Sequence, residues 1–210
     1  MLQMVREIAR TVRTTQGLVC LTFLGLIVWS TYPDSAVAFG VVSGRQLIPG
    51  WLHTLVTYSL IPGGIGPWLL TSISIICSGL IVEKVIKPLR LGLLIVASSV
   101  IGGLAYVPLA GHGATLLGTA HVAWGFGGAA LVFGGSRWRK LPWFGKLYVA
   151  WVAVSFLLWV PAVFEFSMMA LAVSQLAAGM LGLGAATWWA LRRPNNRLKL
   201  AARGRPEAEW

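Results

Sequence analysis

The sequence predicts an all-α integral membrane protein with six transmembrane helices. Three observations carry that expectation. The first is composition: 57% of the residues are hydrophobic and 11% are charged, whereas a soluble domain carries roughly 25% charged residues. The second is segmentation. Apolar runs near the ~20 residues that a bilayer crossing requires alternate with short breaks rich in Pro, Gly or charge. The third is charge placement, because Lys and Arg gather at alternate breaks, as the positive-inside rule describes.

The elements follow in order. Residues 1–15 are a basic lead containing Arg6, Arg10 and Arg13. It imitates a signal peptide, but no small-residue cleavage site follows, so the next run reads as a first span from about Gln16 to Tyr32. Pro33-Asp34-Ser35 ends it. Residues 36–66 hold only a short apolar piece, Ala36–Val42, and then a stretch broken by Gly and Pro. That stretch predicts an interfacial, partly re-entrant segment anchored by Trp51 and Tyr58. The second span runs from about Pro67 to Ile86, with Pro67 in the first turn, where its missing N–H costs nothing. The third runs from about Leu89 to Tyr106, and a short fourth from about Thr119 to Gly135. The fifth runs from about Gly145 to Phe164, and the sixth from about Ser167 to Leu191. The membrane domain is thus expected over 16–192, with a polar, disordered tail over 193–210.

With six spans both termini share a side. Arg6, Arg10, Arg13, Lys84, Lys87, Arg90, Arg137, Arg139, Lys140, Lys146 and the basic tail all fall there, while Arg45, Asp34 and Glu165 fall opposite. The expectation is a prokaryotic cytoplasmic membrane with both ends cytoplasmic. The net charge of +11 is explained by this topology, and no nucleic-acid partner is expected. Cys20 and Cys77 lie inside spans and imply no disulfide framework. There is no Gly-rich phosphate loop, no HExxH, and no proton-coupling acid within a span, which argues against an ion-coupled transporter. No cofactor or metal is expected. His112 and His121 match no ligand spacing: His112 reads as a solvated loop residue and His121 as bonded locally near a helix start, with His53 distant.

The chain is organised around Gly111 to Gly135. A Gly-rich loop enters a short apolar helix carrying Gly118, Gly125, Gly127, Gly128, Gly134 and Gly135. Such a helix lets neighbouring backbones approach closely, as helices do in lipid. The order of elements resembles the rhomboid intramembrane serine proteases over about Trp51 to Arg193. LVTYSLIPGGIGPWLLTSISIICSGLIVE looks like the rhomboid second-span region, with its G-x-x-x-E ending at Gly79 and Glu83. GTAHVAWG at Gly118 to Gly125 sits where that family has G-x-S-G. SQLAAGMLG at Ser174 to Gly182 looks like its sixth-span H-x-x-G signature.

The resemblance implies a six-helix rhomboid-like bundle with a short central fourth helix, and it locates each catalytic position. The serine position falls on Ala120 and the base position on Gln175. The oxyanion positions fall on Thr71, for Asn, and Pro67, for His. The Gly after the serine is His121, and the aromatic that supports the base is Trp124. A second register over GHGATLLG puts Gly113 at the serine position; Ala120 is preferred because it leaves about sixteen residues before the basic loop. Neither register holds a serine. Loss of a dyad member costs ~10⁶ in rate in another serine protease, and each lost oxyanion donor ~10²–10³. The implied function is a pseudoprotease that binds transmembrane segments of clients through the lateral gap between spans two and five. Gly79, Glu83, Gly118, Trp124 and Gly182 are implied structural positions. Two rivals stand beside it: an active protease with a displaced site, such as Ser174 or Thr119 with His121, and a small transporter or channel.

The polar residues have plainer readings as well. Glu83 either ties span two to the next loop or pairs with Lys84 or Lys87. Gln175 either holds helices together through Thr71 or Thr119, survives as a remnant without a role, or touches a ligand. Glu165 reads as solvated. Trp188-Trp189 with Arg192-Arg193 reads as an interfacial belt and anchor.

Overall fold

The computed structural model describes residues 13–32, 34, 38–42, 51–111, 113–165 and 168–192. The expectations for the lead through residue 12, for Pro33, Arg45 and His112, and for the tail from residue 193 lie outside the described residues. Among the described residues, five helices are long and apolar enough to cross a membrane: α1 (Arg13–Thr31), α3 (Ile65–Val82), α4 (Pro88–Tyr106), α6 (Trp143–Ala162) and α7 (Met169–Leu191). The chain is an all-α, multi-pass membrane protein. One further long helix, α5 (Ala120–Gly135), has 16 residues. At 1.5 Å per residue it is about 24 Å long, short of the roughly 30 Å hydrocarbon core.

Local chemistry sets the helix starts. Gly64 takes a φ of +149° before α3, and Trp68 N–H donates to its carbonyl. Pro67 therefore sits in the first turn, where no intrahelical donor is needed. Lys87 is extended and Pro88 opens α4, as the restricted backbone before proline requires. Gly118, with φ +113°, turns the chain into α5, and its N–H donates to Tyr58 O at 3.0 Å.

The segment before α3 corrects one expectation. It holds a short helix, α2 (Thr54–Thr57), continued by a 3₁₀ turn over Tyr58–Leu60. It also holds a short strand, β1 (Val41–Val42), which pairs antiparallel with β2 (Thr115–Leu116), Val41 opposite Leu116. This pairing satisfies backbone groups in two loops that no helix serves. Tyr58 is not an interface anchor. It is fully buried, its hydroxyl donates to Ser99 O at 2.9 Å, and burial pushes its phenol pKa upward. With Val41, Leu55 and Leu116 it forms a small core of its own.

The main core surrounds α5, which packs against α3, α4, α6 and α7. Its glycines allow this. A Cβ on Gly182 would lie 1.9 Å from Gly125 O, and one on Gly128 would lie 2.1 Å from Gly179 O. The α5 and α7 backbones are therefore in direct contact, the small-residue packing that associates helices in lipid.

One end of the bundle is tied separately. Thr15 donates through its N–H and its hydroxyl to Glu83 Oε1, at 2.6 and 2.8 Å. A Cβ on Gly79 would meet Thr15 Oγ1 at 2.2 Å. The G-x-x-x-E pair thus docks α1 at Thr15: the glycine makes room and the carboxylate accepts the Thr15 N–H and hydroxyl. This corrects both readings of Glu83, which ties α3 back to α1 rather than to the following loop or a lysine. At the same end the Arg90 guanidinium lies 5.8 Å from the Trp189 ring centre.

Candidate lateral cleft and buried Ser–His pair

Two features share the surface of α5. The first is a cleft of about 290 Å³ between α3 and α6, floored by α5. Leu70 and Ser74 line it from α3, Ala123 and Trp124 from α5, and Trp151 and Ser155 from α6, with Tyr148, Val152, Trp159 and Gly127 completing the wall. Leu70 and Trp151 are exposed, so the cleft opens sideways, toward lipid. Trp124 packs edge-on against Phe156, with ring centres 4.7 Å apart, and against Trp159 at 6.0 Å. Tyr148 bridges the walls: its hydroxyl donates to Ser74 O at 2.9 Å and also pairs closely with Ser78 Oγ.

The second feature lies on the other side of α5. His121 Nε2 is 2.8 Å from Ser174 Oγ on α7. His121 is 1% exposed and Ser174 0%. The imidazole packs against Gly102, where a Cβ would meet its Cδ2 at 2.2 Å, and edge-on against Tyr58 at 5.4 Å. Ser174 Oγ also reaches Leu171 O at 2.8 Å. One hydroxyl proton serves a single acceptor at a time. If it goes to Leu171, His121 must donate from Nε2; if it goes to His121, Nε2 accepts. In both cases His121 Nδ1 has no hydrogen-bond partner, so no third group orients the ring as in a triad.

The expected catalytic positions can now be placed. Ala120 is the first residue of α5. Gly113 lies in the turn before β2, at φ +79°. Gln175 is buried, and its Oε1 has no hydrogen-bond partner. Thr71 Oγ1 and Thr119 Oγ1 instead pair with each other across α3 and the start of α5, and Thr71 also donates to Pro67 O at 2.8 Å. No hydrogen bond joins Gln175 to either threonine; the two hydroxyls meet each other instead. His121 is likewise not bonded locally: its partner lies 53 residues away. Sequence reasoning missed Tyr148 and Ser78 as the bridge. The signal was present as helical spacing, with Leu70, Ser74 and Ser78 four residues apart on α3 and Tyr148, Trp151, Ser155 and Trp159 on one face of α6.

Among the described residues, no three His, Cys, Asp or Glu side chains come together. The arrangement is a lipid-facing aromatic cleft with few polar groups beside a sealed Ser–His contact. No protein-family model and no curated protein matches the chain.

Proposed function

We propose that this is a rhomboid-like membrane protein that holds a transmembrane segment of a client in the cleft between α3 and α6 without cleaving it, with α5 as a short sixth crossing. The observation that carries this reading is the cleft itself, open toward lipid and walled by Trp124, Trp151 and Trp159 with the hydroxyls of Ser74 and Ser155. Aromatic faces supply contact area to an apolar helix. The hydroxyls receive polar groups that such a helix must satisfy within the membrane. Ala120 has no nucleophile and Gln175 no titratable proton, so the positions matched to the family's dyad supply no acyl transfer.

The test uses reconstituted protein lacking Cys20 and Cys77 and a synthetic single-span peptide bearing a central cysteine. Disulfide crosslinks are expected at Leu70→Cys and Ser155→Cys, and not at Leu93→Cys, an exposed position on α4. Equal yields at all three positions would remove the cleft as the binding site.

One observation favours a second reading, a serine hydrolase with transposed partners. The 2.8 Å contact of His121 with Ser174 is the one a nucleophile and its base require, with the base on α5 and the nucleophile on α7. Against it stands access. Ser174 is sealed, so a peptide carbonyl reaches it only if α4, α5 and α7 separate. A fluorophosphonate probe that labels wild type but not Ser174→Ala would establish this reading and displace the first.

A further inference from the structure

At the end of the bundle where α5 stops, a 3₁₀ turn over Trp138–Lys140 wraps a concavity of about 460 Å³ formed by Gly135, Ser136, Arg137, Trp138, Arg139 and Lys140. We propose that this pocket binds the phosphate of an anionic phospholipid headgroup.

Four observations converge on it. First, three cationic side chains fall within four consecutive residues of one pocket. Guanidinium groups fit phosphate oxygens through paired N–H donors. Second, these cations are uncommitted. Among the described residues, none of the three side chains has an ion-pair, hydrogen-bond or ring partner, whereas Arg90 lies over Trp189 and Arg192 lies 3.8 Å over Trp188. The one described carboxylate at this end, Glu83, is engaged by Thr15. Third, depth is set by exposed Trp138 within the pocket and exposed Trp143 just after it. Indole rings settle at headgroup level, which places the pocket where lipid phosphates lie. Fourth, the local backbone tolerates an anion. Ser136 and Arg137 N–H groups cover the Val132 and Gly134 carbonyls at the end of α5, and the Ser136 hydroxyl donates to the Phe133 carbonyl.

Generic attraction of a basic surface to anionic lipid is the competing account, and the experiment separates the two. Full-length protein is delipidated in neutral detergent and titrated with phosphatidylglycerol, phosphatidylcholine or inorganic phosphate, with binding read by native mass spectrometry. The pocket triple variant Arg137→Gln/Arg139→Gln/Lys140→Gln is compared with an equal charge loss at the same end, Lys84→Gln/Lys87→Gln/Lys146→Gln. Wild type is expected to prefer phosphatidylglycerol. The pocket variant should weaken that binding by about 100-fold, from roughly fivefold per basic residue. The control variant should weaken it by no more than about fivefold. Arg139→Gln, a single exposed change, should weaken it about fivefold even if the triple variant misfolds. Equal losses in the two triple variants, or unchanged binding in Arg139→Gln, would overturn the site. Inorganic phosphate displacing the lipid at equal concentration would overturn the lipid assignment in favour of free phosphate.

Discussion

Where α5 crosses α7 the two backbones touch, and where α3 runs beside α6 the helices stand apart around a cleft. Both contacts lie in the same apolar bundle, so hydrophobicity does not distinguish them. Lipid tails are as apolar as leucine, and burying a leucine between helices gains little from solvent. What differs is side-chain size at the contact. The Gly125 and Gly179 carbonyl oxygens lie 1.9 and 2.1 Å from where a Cβ on Gly182 and Gly128 would sit. On the other side, Tyr148, Trp151 and Trp159 line a gap between α6 and α3, and a tyrosine hydroxyl bridges it. The dense contact is fixed by shape. The open one is held by a few polar bonds, and it is the contact that the proposed client would enter.

The largest expected effect is therefore at the dense contact. Gly182→Val puts carbon where the Gly125 carbonyl now lies, 1.9 Å from the oxygen, and the obstacle is backbone that no rotamer change relieves. Overpacking of this kind costs about 3 kcal/mol, the upper end of its usual range. Steric-trap unfolding in bicelles measures it. Gly184→Ala is the matched control: nothing lies within 4 Å of its added Cβ. It should be neutral or stabilising by up to about 1 kcal/mol, since glycine weakens helices. If both substitutions behave alike, backbone contact is not what holds α5 to α7.

A third interface combines the two devices. At α1–α3, Gly79 supplies the close approach, and Glu83 accepts from the Thr15 N–H and hydroxyl. Removing the acceptor with Glu83→Ala leaves a buried hydroxyl and a helix N–H unmet. Bonds to a charged group contribute about 1.5–3 kcal/mol, so a loss within that range is expected, read by the same unfolding measurement. A loss confined to a few tenths would show that Gly79 alone docks α1.

These interfaces also show what the sequence displays and what it hides. Helix positions were legible because Pro33, Pro67 and the Gly-rich loop before α5 are local signals. The observed helices start and stop close to where those residues direct. The glycine face of α5 was legible for the same reason. Partners were not. Thr15 is 68 residues from Glu83, and no local pattern joins them. Tyr58 has the composition of an interface anchor, and only its distant acceptor, Ser99 O, makes it core. Gln175 was expected to reach a threonine, but Thr71 and Thr119 meet each other. The Ser174–His121 contact was visible only as one alternative among several, since a serine and a histidine on separate helices carry no spacing that marks them as neighbours.

A smaller effect with opposite signs compares two buried serines facing α5. Ser174 Oγ has His121 as a partner, whereas Ser98 Oγ has none and lies against Gly125. Ser174→Ala should destabilise by about 0.6–1.7 kcal/mol, the range measured for interhelical hydrogen bonds in lipid. Ser98→Ala deletes an unmet polar atom and should be neutral or slightly stabilising, because leaving a buried group unsatisfied is itself costly. Unfolding free energies of both variants in one lipid decide the matter. If Ser98→Ala loses as much as Ser174→Ala, the difference between bonded and unbonded hydroxyls does not govern stability here.

The smallest energetic effect, and the most direct test of the open contact, is Tyr148→Phe. The substitution removes one hydroxyl that pairs with Ser78 Oγ and donates to Ser74 O. Both bonds are lost, but the Ser74 carbonyl lies within α3 and keeps its helical partner, so Ser78 Oγ is the atom left short of one. A cost near 0.6 kcal/mol is expected, about a threefold change in an opening equilibrium. The larger consequence is structural. Val149 and Val152 still press on Gly134 and Gly127, so α6 stays attached to α5 while its bridge to α3 is gone. Spin labels at Leu70→Cys and Leu158→Cys, both exposed positions, in a background lacking Cys20 and Cys77, report the spacing of the two walls. The Phe variant should show a broader and longer distance distribution than wild type, and the single-span peptide should crosslink to Leu70→Cys more readily. If the distribution is unchanged, the valines on α6 set the width of the cleft without help from Tyr148. The contrast between a contact fixed by shape and one held by polar bonds then fails at this helix pair.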